Sequence, residues 1–386
     1  MNSEASRCLL CKKPKCALQG CPVHTPIPEC MLLYRQGRLD EAGQLLFRNN
    51  PMTAVTSLVC DWKQFCFGHC VLNVKQMPVR WYEVEQEISG RYLEIVRLER
   101  RSQECAGRRI AIVGAGPAGL SAVVWLYEAG AEVVLYDANP RMGGVLRYGI
   151  PAFRLDKKYC DAYEKIMADA GVEFRGGVEL GRDITLKELS ASYDAVLLAA
   201  GAEKPAVLNI PGEENSVQAL PFLKDPSAFN LGKKVIVIGG GNVAMDACRT
   251  AVRQGAETWV YYRKTFENMP ANPLEVEEAK ADGVQFKVFQ APVEVKEGGV
   301  VFRDCENVVP EDGGRVITRI IEGTDHFVEC DTLLLAISEK PDPELQAAAE
   351  GLKNVYKAGD FVTGPATVVE AVASARTAVN EMIQNL

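Results

Sequence analysis

The chain changes its pattern of apolar and polar residues at Arg109. Before that point the sequence carries helical patches at 28–36, 39–48 and 81–101, with few glycine-rich turns. From Arg109 onward, short apolar runs typical of strands alternate with glycine turns and alanine-rich helical stretches. This change predicts a small, mostly helical N-terminal domain that is followed by an α/β region.

One unit of strand, glycine turn and helix occurs twice in the α/β region. It spans 110–128 and returns about 125 residues later at 235–253. Two such units predict two nucleotide-binding folds. Further predicted elements are β-strands at 133–136, 195–198, 258–262, 286–289 and 332–336, and a closing amphipathic helix at 368–383.

Composition narrows the possible classes of protein. The 386 residues are 47% hydrophobic and 24% charged, which is typical of a folded globular protein and excludes disordered, collagen-like and coiled-coil chains. A formal charge of -8 argues against non-specific nucleic-acid binding, which relies on Lys and Arg. No apolar run reaches the ~18 residues of a membrane span, and residues 1–15 lack the apolar core of a signal peptide. We therefore expect a cytoplasmic protein without membrane or nucleic-acid partners.

The first glycine turn fits a dinucleotide-binding fingerprint. Gly114, Gly116 and Gly119 form G-x-G-x-x-G, which allows a tight turn and a close approach of the backbone to a pyrophosphate. Asp137 lies 23 residues after Gly114 at the end of the next strand, where a carboxylate can accept hydrogen bonds from the ribose. The predicted binding residues of the turn are Gly114, Ala115, Gly116, Pro117 and Ala118.

The second glycine turn carries Ala244 in place of the last glycine. Its strand ends in Arg263 and Lys264, and basic groups there suit the 2′-phosphate of NADPH, whereas a carboxylate would suit the bare ribose of NADH. The alternative is a solvated surface pair. The predicted nicotinamide-nucleotide residues are Gly239, Gly240, Gly241, Asn242, Val243, Arg263 and Lys264.

Cysteines are concentrated at the N-terminus, where eight of the 13 fall within the first 70 residues. In a reducing compartment such a density favours a metal site over disulfides. Four close thiolates could bind zinc. However, a Cys-Pro ending and a second cysteine group resemble the split ligation of two-cluster ferredoxins. Two dinucleotide folds in series usually hold FAD and a nicotinamide nucleotide, and a reduced flavin can pass electrons singly to iron–sulfur centres. We favour iron–sulfur clusters, with zinc as the alternative, and expect Cys30 to be a buried apolar residue.

The other five cysteines are far apart in sequence and form no redox pair near a nucleotide unit. This spacing argues against a mechanism like that of thioredoxin reductase. We predict no catalytic histidine and no certain catalytic residue, because hydride transfer needs placement of the cofactors rather than a general acid or base.

Several longer stretches resemble one family. Residues 142–155 read MGGVLRYGIPAFRL, residues 239–246 read GGGNVAMD, and residues 193–201 and 358–376 look like the flavin-contacting segments of flavoproteins with two dinucleotide folds. Together they closely resemble the glutamate synthase small subunit and the N-terminal half of dihydropyrimidine dehydrogenase, over essentially the whole chain. The resemblance implies an α/β protein with two Rossmann-like dinucleotide-binding domains, of the glutathione-reductase type with a discontinuous FAD domain, preceded by a helical iron–sulfur domain. The implied domains are 1–104 for the clusters, 105–229 and 338–386 for FAD, and 230–337 for NAD(P)H.

The resemblance also assigns the first fold to FAD. It implies that Asp360 contacts the ribityl or phosphate of FAD, and that Thr367, Val368 and Val369 open a helix near the flavin carbonyls. The further FAD residues that it implies are Gly144, Val145, Arg154, Val178 and Gly201.

For the cysteines, the resemblance implies two [4Fe-4S] clusters. It places Cys8, Cys11, Cys16 and Cys70 on one cluster. On the other it places Cys21, Cys60, Cys66 and an oxygen ligand, for which Glu85 is the expected residue and Gln86 the alternative.

By this resemblance, the chain is an electron-input flavoprotein that oxidises NAD(P)H and supplies an FMN-containing or other electron-accepting catalytic subunit. Its length favours a dihydropyrimidine dehydrogenase-like or other electron-input role over a glutamate synthase-like one. Two alternatives remain: a stand-alone NAD(P)H:acceptor oxidoreductase, and a zinc-bearing non-catalytic flavoprotein.

Overall fold

The computed structural model describes residues 2–308 and 317–386 and divides into two compact units. The first unit contains residues 1–147, 152–202 and 341–386, so the N-terminal helices belong to the same unit as the first nucleotide fold. The second unit contains residues 148–151 and 203–340. The finer domain boundaries that the resemblance implies stay a prediction.

Helices and strands alternate after the N-terminal helices. The α-helices are α1 (Ser3–Arg7), α2 (Lys15–Leu18), α3 (Ile27–Arg35), α4 (Leu39–Asn49), α5 (Thr53–Val59), α6 (Trp81–Ile95), α7 (Pro117–Glu128), α8 (Val145–Tyr148), α9 (Lys158–Asp169), α10 (Leu186–Ser192), α11 (Ala219–Lys224), α12 (Asn242–Arg253), α13 (Pro273–Ala281), α14 (Pro343–Ala348), α15 (Asp360–Thr363) and α16 (Val368–Asn385). Short 3-10 helices occupy Val71–Val74, Glu213–Asn215, Pro226–Ala228 and Phe266–Asn268. The strands are β1 (Arg109–Val113), β2 (Glu132–Asp137), β3 (Glu173–Gly176), β4 (Ala195–Leu198), β5 (Lys204–Pro205), β6 (Val217–Gln218), β7 (Lys234–Ile238), β8 (Glu257–Tyr262), β9 (Gln285–Val288), β10 (Gln290–Lys296), β11 (Gly299–Val308), β12 (Ile317–Ile320), β13 (His326–Glu329), β14 (Thr332–Leu335), β15 (Glu339–Lys340) and β16 (Val355–Lys357).

A five-stranded parallel sheet forms the centre of the first unit, in the order β16-β4-β1-β2-β3. Its central strands are almost continuously apolar because helices cover both faces of such a sheet. The last strand, β16, comes from the C-terminal part of the chain and pairs with β4. The first nucleotide fold is therefore discontinuous in sequence, and the predicted fold class is confirmed.

The N-terminal helices surround a small core of their own. Met31, Leu46, Val84 and Ile88 are buried there, and α6 packs against α4 and α5. Cys30 belongs to this core and is fully buried, as expected.

Helix α6 ends at Ile95, so the predicted helix to Arg101 is six residues too long. Val96 turns to extended backbone, with φ -58° and ψ 138°. The charged residues that follow bind the end of α7 instead: the N–H of Arg101 donates to the carbonyl of Glu128 at 2.7 Å, and its side chain pairs with the Glu128 carboxylate at 3.0 Å. Tertiary contacts thus override the local helical pattern.

The second unit repeats the parallel sheet in the order β6-β14-β7-β8-β9. An antiparallel sheet, in which β11 pairs with β10, β12 and β13, is added after β9. Tyr261 and Phe302 stack with ring centroids 4.2 Å apart, which ties the two sheets together. Within the described ranges, no helix combines the length and apolarity that a bilayer crossing requires.

Candidate redox and nucleotide sites

The first glycine turn joins β1 to α7 at the carboxyl edge of the first sheet. Gly114 has φ +106°, and a Cβ on it would lie 2.2 Å from the carbonyl oxygen of Ala199, which follows β4. Only glycine allows this approach without strain. The N-terminus of α7, which begins at Pro117, is left open for an anionic phosphate.

A second loop packs directly on this turn. The N–H of Gly143 donates to the carbonyl of Ala115 at 2.8 Å, and a Cβ on Gly144 would lie 2.7 Å from the Cα of Gly116. The structure therefore brings Gly144 and the adjoining Val145 to the predicted FAD turn. Such a cradle of backbone without side chains fits a pyrophosphate.

Asp137 reaches back to the same turn. Its Oδ2 accepts a hydrogen bond from the N–H of Ala115 at 2.7 Å, and its Oδ1 accepts from the N–H of Asn139 at 2.7 Å. The buried carboxylate is thus fixed beside the turn, where the ribose was expected. The N–H of Val178 donates to the Asp137 carbonyl at 3.0 Å, so Val178 also lies here.

The remaining predicted FAD residues come from two other parts of the first unit. Gly201 follows β4, and a Cβ on Gly359, the residue before Asp360, would lie 2.9 Å from Cβ of Ala118 in α7. Thr367 caps α16 through a reciprocal capping box with Glu370, which fixes Val368 at the first position of that helix. Arg154 is half-buried in the loop between α8 and α9, and its role at FAD stays a prediction.

The second glycine turn joins β7 to α12 in the second unit. Gly239 has φ +145°, and a Cβ on it would lie 2.1 Å from the carbonyl oxygen of Ala336. Oδ1 of Asn242 accepts a hydrogen bond of 2.9 Å from the N–H of Asn272, which fixes the start of the helix. Gly240 and Gly241 complete this turn, and Val243 lies in the first turn of α12.

Arg263 and Lys264 follow β8, next to this turn. Arg263 is exposed and Lys264 half-exposed, and neither makes an ion pair with any described residue. Arg and Lys side chains at the end of this strand fit a 2′-phosphate.

The N-terminal cysteines line two cavities. The lining of the first includes Cys8, Cys11, Cys16 and Cys70, the four residues predicted for one cluster. The lining of the second includes Cys21, Cys60, Cys66 and Glu85, the set predicted for the other. Among residues 2–308 and 317–386, no three His, Cys, Asp or Glu side chains converge as they would around a single ion. Each set offers four donors, which is the number of protein ligands that a [4Fe-4S] cluster takes.

Glu85 rather than Gln86 faces the second cavity. The Glu85 side chain is buried, and its Oε1 accepts a hydrogen bond of 2.9 Å from the Thr53 hydroxyl. Gln86 is absent from the cavity lining, and its amide donates to the carbonyl of Ser57 at 2.8 Å. Of the two candidates, the structure brings only Glu85 to the three cysteines.

In the absence of metal, burial favours the protonated forms of the cysteine and Glu85 side chains that line the two cavities. It raises the pKa of the Cys16 thiol to about 12, helped by the nearby Cys70 and Cys8, and raises the pKa of Glu85 to about 7. Burial likewise raises the pKa of Cys60 and Cys66. Since cluster ligands bind as thiolates, assembly of iron here would release protons.

Three lining residues, Trp81, Ile27 and Val369, were not predicted from the spacing of the cysteines. Trp81 and Ile27 line both cavities and so lie between them, as does the predicted ligand Cys66. Val369, in the first turn of α16, lines the second cavity as well. The sequence gives no periodic signal for Trp81 or Ile27, whereas Val369 belongs to the stretch that resembles a flavin-contacting segment.

Comparison with known protein families agrees with this geometry. The family model for pyridine nucleotide-disulphide oxidoreductases matches residues 108–375. The chain belongs to this family. Residues 1–95 match a second model, described as dihydropyrimidine dehydrogenase domain II, 4Fe-4S cluster. Members of the oxidoreductase family bind FAD and a nicotinamide nucleotide, so the chain is an NAD(P)H-linked flavoprotein oxidoreductase with an iron–sulfur domain.

Individual relatives extend over almost the whole chain. The NADPH glutamate synthase small chain of Escherichia coli K12 is 34% identical, and the alignment covers 98% of this chain and 90% of that protein. The beta subunit of the NADP(+)-dependent formate dehydrogenase of Moorella thermoacetica is 29% identical over 96% of this chain and 59% of that protein. Mycobacterium tuberculosis FprA in complex with NADPH shares the fold, with a TM-score of 0.63 at 21% identity over 72% of this chain and 84% of its own.

The five cysteines outside the N-terminal region are buried, and none forms a disulfide within the described ranges. Cys160 packs beside Gly143, and Cys248 donates to the carbonyl of Met245 within α12.

Proposed function

We propose that this oxidoreductase is an electron-input subunit that takes reducing equivalents from NADPH and delivers single electrons, through FAD and two [4Fe-4S] clusters, to a catalytic partner subunit. FAD, when bound, accepts a hydride from the nicotinamide and can release electrons one at a time. The chain binds and orients the cofactors and provides the path by which electrons leave.

The position of Val369 is the observation that carries this proposal. Val369 lies in the first turn of α16, at the predicted flavin edge, and also lines the cavity of Cys21, Cys60 and Cys66. From there Trp81 and Cys66 lead to the first cavity. Val369 thus lines the same cavity as one cysteine set, and Trp81 and Cys66 line that cavity and the cavity of the other set.

The assignment of NADPH rests on Arg263 and Lys264. Both lie where a carboxylate would discriminate in favour of NADH, and both are without an ion-pair partner among the described residues. The relatives named as NADPH glutamate synthase small chain and NADP(+)-dependent formate dehydrogenase subunit agree with this choice.

A partner subunit is inferred from the same two relatives, since both are named as one chain of a larger enzyme. We propose an acceptor subunit that carries FMN or another electron-accepting centre. The substrate depends on the partner subunit: it could be an imine, as in glutamate synthase, a pyrimidine or another compound.

Anaerobic purification from the native cells tests this function. We expect FAD, about eight iron and eight sulfide per chain, which is four of each per [4Fe-4S] cluster, and a copurifying catalytic subunit. NADPH should then bleach the flavin and produce the electron paramagnetic resonance (EPR) signals of reduced clusters. Zinc without sulfide would disprove the cluster assignment, and steady turnover of small acceptors by a chain that never copurifies with a partner would favour the stand-alone oxidoreductase.

A further inference from the structure

The ligand segments of the first cavity expose an unusual number of large apolar side chains. Leu9 is 62% exposed, Val71 36%, Val74 83% and Met77 65%. Leu9 and Val71 themselves line the first cavity. The carbonyl of Met77 accepts a hydrogen bond from Arg7, which holds Met77 close to the Cys8 end of the same region. Exposed apolar groups gathered in one place mark an interaction surface more often than scattered ones do.

Lysines accompany these apolar residues, and acidic residues do not. The two stretches around the ligands of the first cavity, 8–22 and 62–79, contain five lysines and no Asp or Glu, with Asp61 immediately before the second stretch, although the whole chain has a formal charge of -8. Lys12, Lys13, Lys15 and Lys75 are exposed, and none makes an ion pair with a described residue. We call these four lysines, with Leu9, Val71, Val74 and Met77, the basic rim.

We propose that the basic rim is the docking surface for the electron-accepting partner, and that this partner presents an acidic protein surface around its own redox centre. This inference rests on the proposed function, because it names the place where electrons leave the chain. The chain as a whole has a formal charge of -8, so an acidic partner is repelled by the net charge and attracted by the lysines of the rim. The charge pattern therefore orients the partner toward Cys8, Cys11, Cys16 and Cys70.

A competing explanation is that the lysines neutralise the negative charge of a cluster with thiolate ligands. That explanation does not account for the exposed Leu9, Val74 and Met77. It also requires solvent-exposed lysine ammonium groups to exert a strong electrostatic effect on a buried cluster, although water and salt screen such charges. The two explanations differ in what they predict for the reduction potential of the clusters.

The test measures binding of the reconstituted, oxidised protein, without NADPH, to two probes: rubredoxin, a small acidic redox protein, and cytochrome c, a basic one. We expect rubredoxin to bind at low ionic strength and its affinity to fall at least about tenfold between about 20 and 200 mM salt. The quadruple variant Lys12→Glu, Lys13→Glu, Lys15→Glu, Lys75→Glu should lose rubredoxin and gain cytochrome c, with unchanged cluster potentials. A quadruple variant to Arg should keep rubredoxin binding.

The control, Lys187→Glu with Lys353→Glu, reverses two exposed lysines elsewhere in the first unit. It is compared with the rim variant Lys12→Glu with Lys13→Glu, which changes the net charge by the same amount. The control should leave rubredoxin binding unchanged, whereas the rim variant should weaken it. Equal loss in control and rim variants would overturn the proposal, because it would show that only net charge matters. Unchanged binding with shifted cluster potentials in the rim variant would also overturn it, in favour of charge compensation. Because binding is measured without NADPH, failure of NADPH to reduce the clusters counts against the proposed function alone.

Discussion

The hydroxyl of Thr53 donates a hydrogen bond of 2.9 Å to Oε1 of Glu85, which fixes this carboxylate among Cys21, Cys60 and Cys66. A buried carboxylate is costly unless it is bonded or bound to a metal. Burial already raises the pKa of Glu85 to about 7. We therefore propose that Glu85 would serve as the fourth ligand of a cluster held by the three cysteines, with Thr53 orienting its carboxylate.

Glu85→Gln should raise the reduction potential of the second cluster. The reduced cluster is more negative than the oxidised one, and a neutral ligand destabilises it less than a carboxylate does. Glu85→Ala should give one iron fewer per chain and the EPR signal of a three-iron cluster. EPR-monitored redox titration and iron analysis measure both effects. Gln86→Ala is the control: it removes one hydrogen bond to Ser57, costs about 1 kcal/mol of stability, and leaves both signals unchanged. If Gln86→Ala loses iron and changes the EPR signal while Glu85→Ala does not, then Gln86 is the ligand.

Much of the fold was predictable from the sequence because strand, glycine turn and helix are local patterns. The runs at 110–113 and 235–238 form β1 and β7 with one added residue each, and the turns at Gly114 and Gly239 open helices as expected. Helix α6 was predicted too long because the charged residues after Ile95 leave the helix, and one of them, Arg101, contacts Glu128, which is distant in sequence.

The cysteine sets were predictable only through the resemblance. Spacing alone does not show that Cys70 joins Cys8 while Cys66 joins Cys21, since that pairing depends on how α5 and the 3-10 helix place the second cysteine group. The positions of Trp81 and Val369 depend on packing between elements far apart in sequence. No local pattern encodes that packing, so the position of Val369 in the lining of the second cavity emerged from the structure.

Gly114→Ala should destabilise the first unit by about 3 kcal/mol and abolish FAD retention. Its Cβ would combine an unfavourable positive φ with a contact of 2.2 Å to the Ala199 carbonyl oxygen. Thermal unfolding and the flavin content of the purified protein measure the two effects. Gly171→Ala is a matched control, since Gly171 has φ +71° and open space around it. It should cost only about 1–2 kcal/mol and retain FAD; equal flavin loss in both variants would refute the role of the turn.

Arg263→Ala combined with Lys264→Ala should lower kcat/KM for NADPH about tenfold, the effect of losing about 1.4 kcal/mol of charge-assisted hydrogen bonding to the 2′-phosphate. The value for NADH should stay nearly constant because NADH lacks that phosphate. Steady-state kinetics with both nucleotides give the ratio. Lys233→Ala removes an exposed charge just before β7, at the opposite end of that strand from the glycine turn, and should leave the ratio unchanged. If the double variant leaves the ratio of kcat/KM for NADPH to that for NADH unaltered, then Arg263 and Lys264 are a solvated surface pair that does not bind the 2′-phosphate.

Arg376 connects α16 to the N-terminal cysteine region through a hydrogen bond to Val23. We expect its replacement to slow electron transfer from the flavin to the second cluster. From α16 its Nη1 donates to the carbonyl of Val23 at 3.0 Å, and its guanidinium lies 5.3 Å from the ring centroid of Trp125. Cys21 is close enough to interact electrostatically with this cation.

Arg376→Leu removes a partly buried positive charge beside the second cluster, so the potential of that cluster should fall and its reduction after mixing with NADPH should slow. Arg376→Lys should restore part of the potential, because it returns the charge without the planar stacking. Stopped-flow absorption and EPR titration follow the two quantities. Thr377→Ala, at the exposed neighbouring position, should change neither. If Arg376→Leu slows flavin bleaching itself as much as cluster reduction, then Arg376 supports FAD binding rather than the connection between the flavin and the cysteines.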